Sequence, residues 1–486
     1  MNNLPRPGNV LRKASGPGGK RIRATAATIP DRVMVSRVKT FCLLLIGALL
    51  SGYLMGGKAF AYIQIPPVYI GEITLAAAAV LFLAANDYRI VKSSGLVWLI
   101  AIYCLWCFSR TWPYLSEFGL DAARDSAIYY YSAFAVLVAA SVSDIDAVDR
   151  VITFYARMIR IAAIALPVAI LYTMNLMDEE SRFVLVKAGD VAVHLTGMLA
   201  FRLLLLDRMA TGRHSHVHRL IEIAFWACWT GSLFWSVLSR GAFLALTCGT
   251  LAVVVFGYAR RRVMQLAGVG IVALLALAAL DLSIDLERRN LSAAQLIANI
   301  LSIGGITPEG EAFSRVDSKD LEGTMNWRLQ WWGDIIDYTV HGPYFWTGKG
   351  FGENLADSDG YQTDYYDNSL RSPHNGHFTI LARAGVPGLA LWLTVLGTFA
   401  FQLSRMTVRL QRAGLENWAR LNVWILAYWL AALVNASFDV YLEGPQGGIW
   451  FWSIMGLGIG VLVLERSLLV AEPAPAQALR PTGAGT

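Results

Sequence analysis

Long apolar stretches alternate along the chain with short polar ones, and the apolar runs exceed what a soluble core helix or strand needs. About 20 consecutive apolar residues cross a bilayer as an α-helix. Twelve such spans are predicted, at 40–57, 68–85, 95–109, 127–142, 155–174, 191–206, 221–238, 241–259, 263–281, 377–403, 421–440 and 448–465. The predicted fold class is all-α, a polytopic membrane protein. In order along the chain, residues 1–38 read as a basic tail and 39–281 as nine spans. Residues 282–373 form one long connection, 374–466 three more spans, and 467–486 a second low-complexity tail. Both tails are poor in large apolar residues and are expected to be disordered.

The polar positions orient the spans, because short basic loops stay in the cytoplasm. Arg12, Lys13, Arg21 and Arg37 crowd the N-terminal tail, and basic residues recur after every second span: Arg89 and Lys92, Arg150 and Arg157, Arg208 and Arg219, Arg260 to Arg262, Arg405 to Arg420, then Arg466. Both termini are therefore expected inside and segment 282–373 outside. Composition agrees, at 56% hydrophobic and 16% charged residues with a mean hydropathy of +0.47, too apolar for a soluble chain of 486 residues. The net charge of +6 comes from the inner loops. No nucleic-acid partner is expected, whereas membrane lipids are. Cys42, Cys104, Cys107, Cys228 and Cys248 all fall inside spans, against a disulfide framework. The run His214, His216 and His218 reads as a solvated basic loop rather than a metal site, and no metal or cofactor is expected.

The long connection has the opposite charge balance, with fourteen acidic residues against seven basic ones. It is too rich in Trp, Tyr and Ile to be wholly disordered. Residues 326–340 read as an amphipathic helix opened by Arg328, with Trp327, Trp331 and Ile335 on one stripe broadened by Trp332 and Ile336. That density of Trp suggests the membrane interface. Gly348, Gly350 and Gly352 then suit a tight turn where backbone approaches something closely. They do not form a nucleotide loop, since the flanking strand and helix of the phosphate motifs are missing.

Candidate chemistry gathers on the outward side. His374 and His377 lie where this connection enters the tenth span, and a histidine exchanges protons near neutral pH. Arg240 starts the eighth span at its outer end, where arginine is less expected. Snorkelling explains Arg240 about as well as function does, a surface ion pair would account for Arg328, and capping or packing for one histidine. Their convergence on one face favours chemistry: two permanently charged guanidiniums suit a diphosphate, and a histidine beside them suits an attacking hydroxyl. Gly385, Pro387 and Gly388 interrupt the tenth span, Pro387 being expected to kink it and open a crevice for a lipid chain, and Gly388 to pack closely.

SRGAFLA (239–245), WRLQWW with the following GKGFG turn (327–352) and HNGHFTILARAGVPGLALWL (374–393) resemble the bacterial O-antigen ligases and the related O-antigen and exopolysaccharide polymerases. The resemblance covers roughly the C-terminal half. It implies a metal-independent glycosyltransferase of the bacterial inner membrane, moving a glycan from undecaprenyl diphosphate to an acceptor hydroxyl, on lipid A core or another saccharide, at the outer face. Carried over residue by residue, it implies Arg240 and Arg328 on the diphosphate and His374 as general base. Arg371, Arg383, His377 and Asn375 are further candidates for substrate binding, the two arginines by attracting the carrier and keeping His374 neutral. Ligase and polymerase differ only in acceptor, and both readings stay open. A secondary transporter of a small anion is the rival class, though only His194 and Arg202 lie clearly inside a span. A non-catalytic scaffold is a third.

Overall fold

A computed structural model describes residues 29–175, 186–211, 216–237, 239–280, 284–286, 289–303, 318–362 and 370–471. The protein is an all-α membrane protein. Its principal helices are α1 (Ile29–Ala61), α2 (Ile70–Ala85), α3 (Gly95–Thr111), α4 (Ala133–Ser141), α5 (Ile145–Asn175), α6 (Ala188–Leu203), α7 (His216–Ser236), α8 (Arg240–Val255) and α9 (Arg260–Ala279). After these come α10 (Ser318–Thr339), α11 (Gly376–Arg412), α12 (Glu416–Ala436) and α13 (Pro445–Ala471). Seven helices among the described residues are long and apolar enough to cross a membrane, and α2 and α8 are shorter apolar helices. The strands form two small antiparallel hairpins, Gln64–Ile65 with Val68–Tyr69 and Ile284–Leu286 with Arg289–Leu291.

Several boundaries differ from the sequence expectation. Helix α1 begins at Ile29, inside the stretch expected to be a tail, and α13 continues to Ala471. The expected span 127–142 is two pieces, Ala127–Tyr130 and α4, separated where Tyr130 and Tyr131 turn their hydroxyls onto Glu72 at 2.9 and 2.6 Å. The N-terminal residues before 29, the C-terminal residues after 471 and His214 lie outside the described residues, as do the side chains of His216 and His218.

Helix packing here cannot draw on a hydrophobic gradient, because lipid tails are as apolar as leucine; close contact and hydrogen bonding must supply it. The sequence answers with small residues at crossings. A Cβ on Gly249 of α8 would stand 2.8 Å from the Ala427 carbonyl of α12. One on Gly456 of α13 would stand 2.4 Å from the Ala135 carbonyl of α4. Around these crossings Trp392, Trp418, Trp429 and Trp452 are fully buried.

The amphipathic helix starts at Ser318, so Arg328 lies in its middle rather than at its opening. Trp331, with partly buried Trp327 beside it, enters a core inside the long connection between α9 and α11, which forms a cap. Trp331 and Ile335 are fully buried with Leu355, Leu370, Leu381 and Ala382, and the Trp331 indole donates to Asp359 at 2.6 Å. Because Leu381 and Ala382 belong to α11, the same cluster fastens the cap to the bundle.

Helix α11 is interrupted at Gly385 (φ 70°, ψ −174°), two residues before the expected Pro387 kink. The freed backbone groups are taken up by protein. Lys349 N–H donates to the Ala382 carbonyl at 2.7 Å, Gly350 N–H to Arg383 at 3.1 Å, and Val386 N–H donates to Phe345 at 2.8 Å. The Trp106 indole of α3 reaches the Ala384 carbonyl at 2.9 Å. Pro387 contributes by having no N–H to compete for the Arg383 carbonyl. The expected lipid crevice is therefore filled by the glycine turn, and Gly388 packs as expected, with Ala384 and Trp106 beside it.

At Gly348 (φ +61°) a Cβ would lie 2.4 Å from the Arg383 carbonyl carbon, whereas Gly360 (φ +78°) has open space around it. Left-handed backbone alone costs a non-glycine residue about 1 kcal/mol. Gly360→Ala is expected to lose only that, while Gly348→Ala should lose at least about 2 kcal/mol more, because backbone must move. Thermal unfolding of both variants in detergent checks the difference.

Candidate functional site

The turn that follows α12, from Ser437 to Gly444, is the meeting point of the candidate residues. Arg328 Nη1 on α10 donates to the Phe438 carbonyl at 3.1 Å, and its Nη2 lies 3.5 Å from His374 Nδ1. A Cβ on Gly241 would stand 3.2 Å from Phe438 Cβ, which brings the start of α8, and with it half-buried Arg240, onto the same turn. Lys187, immediately before α6, pairs with Asp439 at 2.9 Å. The helix start next to His374 also arrives there, since a Cβ on Gly376 would lie 3.4 Å from the Ala436 carbonyl. The N-termini of α6, α8 and α11 and the side chains of Arg328 and Lys187 thus come to one short turn, an arrangement suited to an anion.

His374 is held tightly. Its φ of 53° lies in the left-handed region, rare for a residue with a side chain and a recurrent mark of functional sites. On one side the Trp332 indole fixes the Pro373 carbonyl at 2.9 Å. On the other, the Asn375 side chain caps α11 by accepting from the N–H groups of His377 and Phe378 at 2.9 and 3.3 Å. The Trp327 ring stands edge-on to the imidazole, 5.9 Å between centroids. Burial pushes His374 down to about 4; Asp439 pulls upward, while Arg328 and Lys187 press downward again. The imidazole is therefore neutral at pH 7. Asp439 is held below the usual carboxylate range despite its burial, by Lys187 first and His374 second.

The remaining predicted residues are placed differently. His377 Nδ1 accepts from the Trp392 indole at 3.0 Å. Indole only donates, so His377 carries its proton on Nε2 and gives it to Ser437 Oγ at 3.0 Å. His377 ties α11 to the turn. Arg371 and Arg383 are engaged by Asp125 at 3.1 and 2.9 Å, and Gly352 N–H adds a third bond to the same carboxylate at 3.2 Å. The charges that act on His374 are those of Asp439, Arg328 and Lys187 rather than these two arginines.

Lys187 and Asp125 were not singled out by sequence reasoning. Lys187 had a usable signal, a basic residue in a loop expected outside, the anomaly that drew notice to Arg240. Asp125 had none, because its partners lie more than two hundred residues away in the chain. Removing Asp125 would leave buried Arg383 without a carboxylate and Arg371 with only the longer contact to Asp121 at 3.5 Å, and breaking a buried pair on one side costs about 3–5 kcal/mol. Asp125→Ala is expected to lose about that much stability and to expose the amides of 349–352 to hydrogen exchange. Exchange as slow as in the parent protein would contradict it.

No curated protein matches the chain. Residues 223–393 match the family model described as O-antigen ligase, a stretch that contains Arg240, Arg328 and His374 and ends inside α11. Over that stretch the chain is similar to the O-antigen ligase family, membrane proteins of polysaccharide biosynthesis.

Proposed function

We propose that this protein is a multi-pass glycosyltransferase of the O-antigen ligase type, transferring a glycan from undecaprenyl diphosphate to an acceptor hydroxyl at the outer face of the inner membrane. In this reading twelve spans leave both termini in the cytoplasm and the cap outside. The observation that carries it is the gathering of Arg328, His374 and the Arg240 end of α8 on the turn at Phe438. His374 takes the proton of the acceptor hydroxyl, the oxygen attacks the anomeric carbon, and the bond from that carbon to the diphosphate oxygen breaks. Arg240 and Arg328 neutralise the charge that develops on the departing diphosphate, so the reading needs no metal.

The Arg328 contact gives this sequence an order. A guanidinium only donates, so at 3.5 Å it faces the lone pair of His374 Nδ1. A bound diphosphate competes for Arg328 and leaves that lone pair open to the acceptor. Its negative charge also raises the affinity of His374 for a proton, moving a weak base toward useful strength.

The polymerase reading shares donor, site and chemistry and differs in acceptor, another carrier-linked repeat unit. The transporter reading loses its two candidate groups. Arg202 is paired with Asp207 and Glu222 at 2.9 and 2.7 Å, and His194 Nδ1 is bonded to the Tyr428 hydroxyl at 2.7 Å.

His374→Ala, Arg240→Ala and Arg328→Ala are each expected to insert normally and to lower transfer from a defined undecaprenyl-diphosphate glycan by about a hundredfold or more. Near-normal transfer by His374→Ala would remove the base assignment. The acid limb also has a sign. A base must be unprotonated, so kcat/KM, which reports the free enzyme, should fall only as pH drops toward about 4. The limb of kcat should lie higher, because donor is then bound. A kcat/KM limb near the ordinary histidine value of about 6.5 would contradict the burial of His374.

A further inference from the structure

At the opposite end of the bundle from His374, α1, α4, α5, α12 and α13 enclose a recess of about 130 Å³. Its lining includes Leu43, Ile46, Val138 and Leu457, together with Trp424, Tyr428 and Trp450. Arg150, in the second turn of α5, is part of the lining and is exposed. Leu44 and Phe154 also line it and are 54% and 38% exposed, so this face of the helices meets hydrocarbon rather than protein.

We propose that this recess is a binding site for an anionic phospholipid of the leaflet at the Arg150 end, one acyl chain filling the recess and the phosphate resting on Arg150. Left empty, the recess would forfeit van der Waals contacts on every wall, and its lining has little to offer water. A flexible chain from the surrounding lipid fits a narrow apolar space without any change in the helices. Charge selects the headgroup: an exposed guanidinium at the rim binds phosphate oxygens bidentately and favours a net negative lipid over a zwitterionic one. Position selects the leaflet. The diphosphate of a donor at Arg240 and Arg328 lies at the other end of the helices, so a lipid whose phosphate reaches Arg150 is a separate molecule. Tyr428, part of the lining, connects the site to the rest of the bundle, since it is bonded to His194 of α6, the helix that follows Lys187. The inference goes beyond the glycosyltransferase reading, on which it rests only for the separation of this lipid from the donor, and retention of phospholipid is measured independently of transfer.

Native mass spectrometry of the full chain in mild detergent, with added phosphatidylglycerol or phosphatidylcholine, tests the site. The parent protein should retain a single phosphatidylglycerol and hold it at least tenfold more strongly than phosphatidylcholine. Arg150→Gln should reduce that preference to parity, and Leu43→Trp should fill the recess and abolish retention. Thermal unfolding provides a second readout, with phosphatidylglycerol raising the Tm of the parent protein and leaving that of Arg150→Gln unchanged. If Leu43→Trp does not fold, Arg150→Gln decides. Equal retention of the two phospholipids by the parent protein, an unchanged preference in Arg150→Gln, or retention of an isoprenoid lipid alone would overturn the proposal.

Discussion

The interruption of α11 at Gly385 is the constraint on which the rest of the architecture depends. A helix broken near the membrane leaves backbone groups that lipid cannot satisfy, each costing several kcal/mol. Here they are answered by the turn around Gly348 and Gly350 and by the Trp106 indole. The exchange works only if the turn comes within hydrogen-bond reach of α11. That distance explains glycine at Gly348, where any side chain would strike the Arg383 backbone. The Asp125 carboxylate then locks the assembly from the side of the short helices after α3, by holding Arg371, Arg383 and Gly352 together.

From that repaired break the geometry of the site follows. The turn is continuous with α10, and α10 is packed through Trp331 and Ile335 onto Leu381 and Ala382, within the half-helix that precedes the break. Arg328 is three residues before Trp331 on the same helix, and His374 sits just before the start of that half-helix. Their separation of 3.5 Å is therefore a consequence of cap docking. The Lys187 and Asp439 pair brings α6 to the same turn and adds a second layer of charge around the imidazole. The left-handed backbone of His374 is held between a fixed carbonyl and a fixed cap, while its low proton affinity comes from burial, with Arg328 and Lys187 adding to it.

The apolar runs made the helical membrane architecture legible, because span length and helix period leave few alternatives. The glycine turn was legible as a close approach, but its target was not. No local pattern says that Ala382, Arg383 and Val386 need partners until the break at Gly385 is known. Among Gly385, Pro387 and Gly388, Pro387 is the stronger sequence signal for a kink, whereas the residue able to take φ 70° is Gly385. Arg240, Arg328 and His374 stood out through charge on an unexpected face and through motif. Their separation into a central group and an Asp125 group, which claims Arg371 and Arg383, depends on contacts far apart in the chain. His377 looked equivalent to His374 by composition. Its two protein partners, Trp392 and Ser437, distinguish them.

If the turn at Phe438 gathers Arg240, Arg328 and His374 around a lipid diphosphate, a bound donor must be found there. The most direct measurement is an electron cryomicroscopy structure of the full chain with a non-hydrolysable undecaprenyl-diphosphate glycan. Phosphate oxygens should lie about 3 Å from both guanidiniums, with Arg328 turned from His374 Nδ1 toward the diphosphate. Diphosphate density elsewhere, or density in this site with Arg328 still on His374, would contradict it.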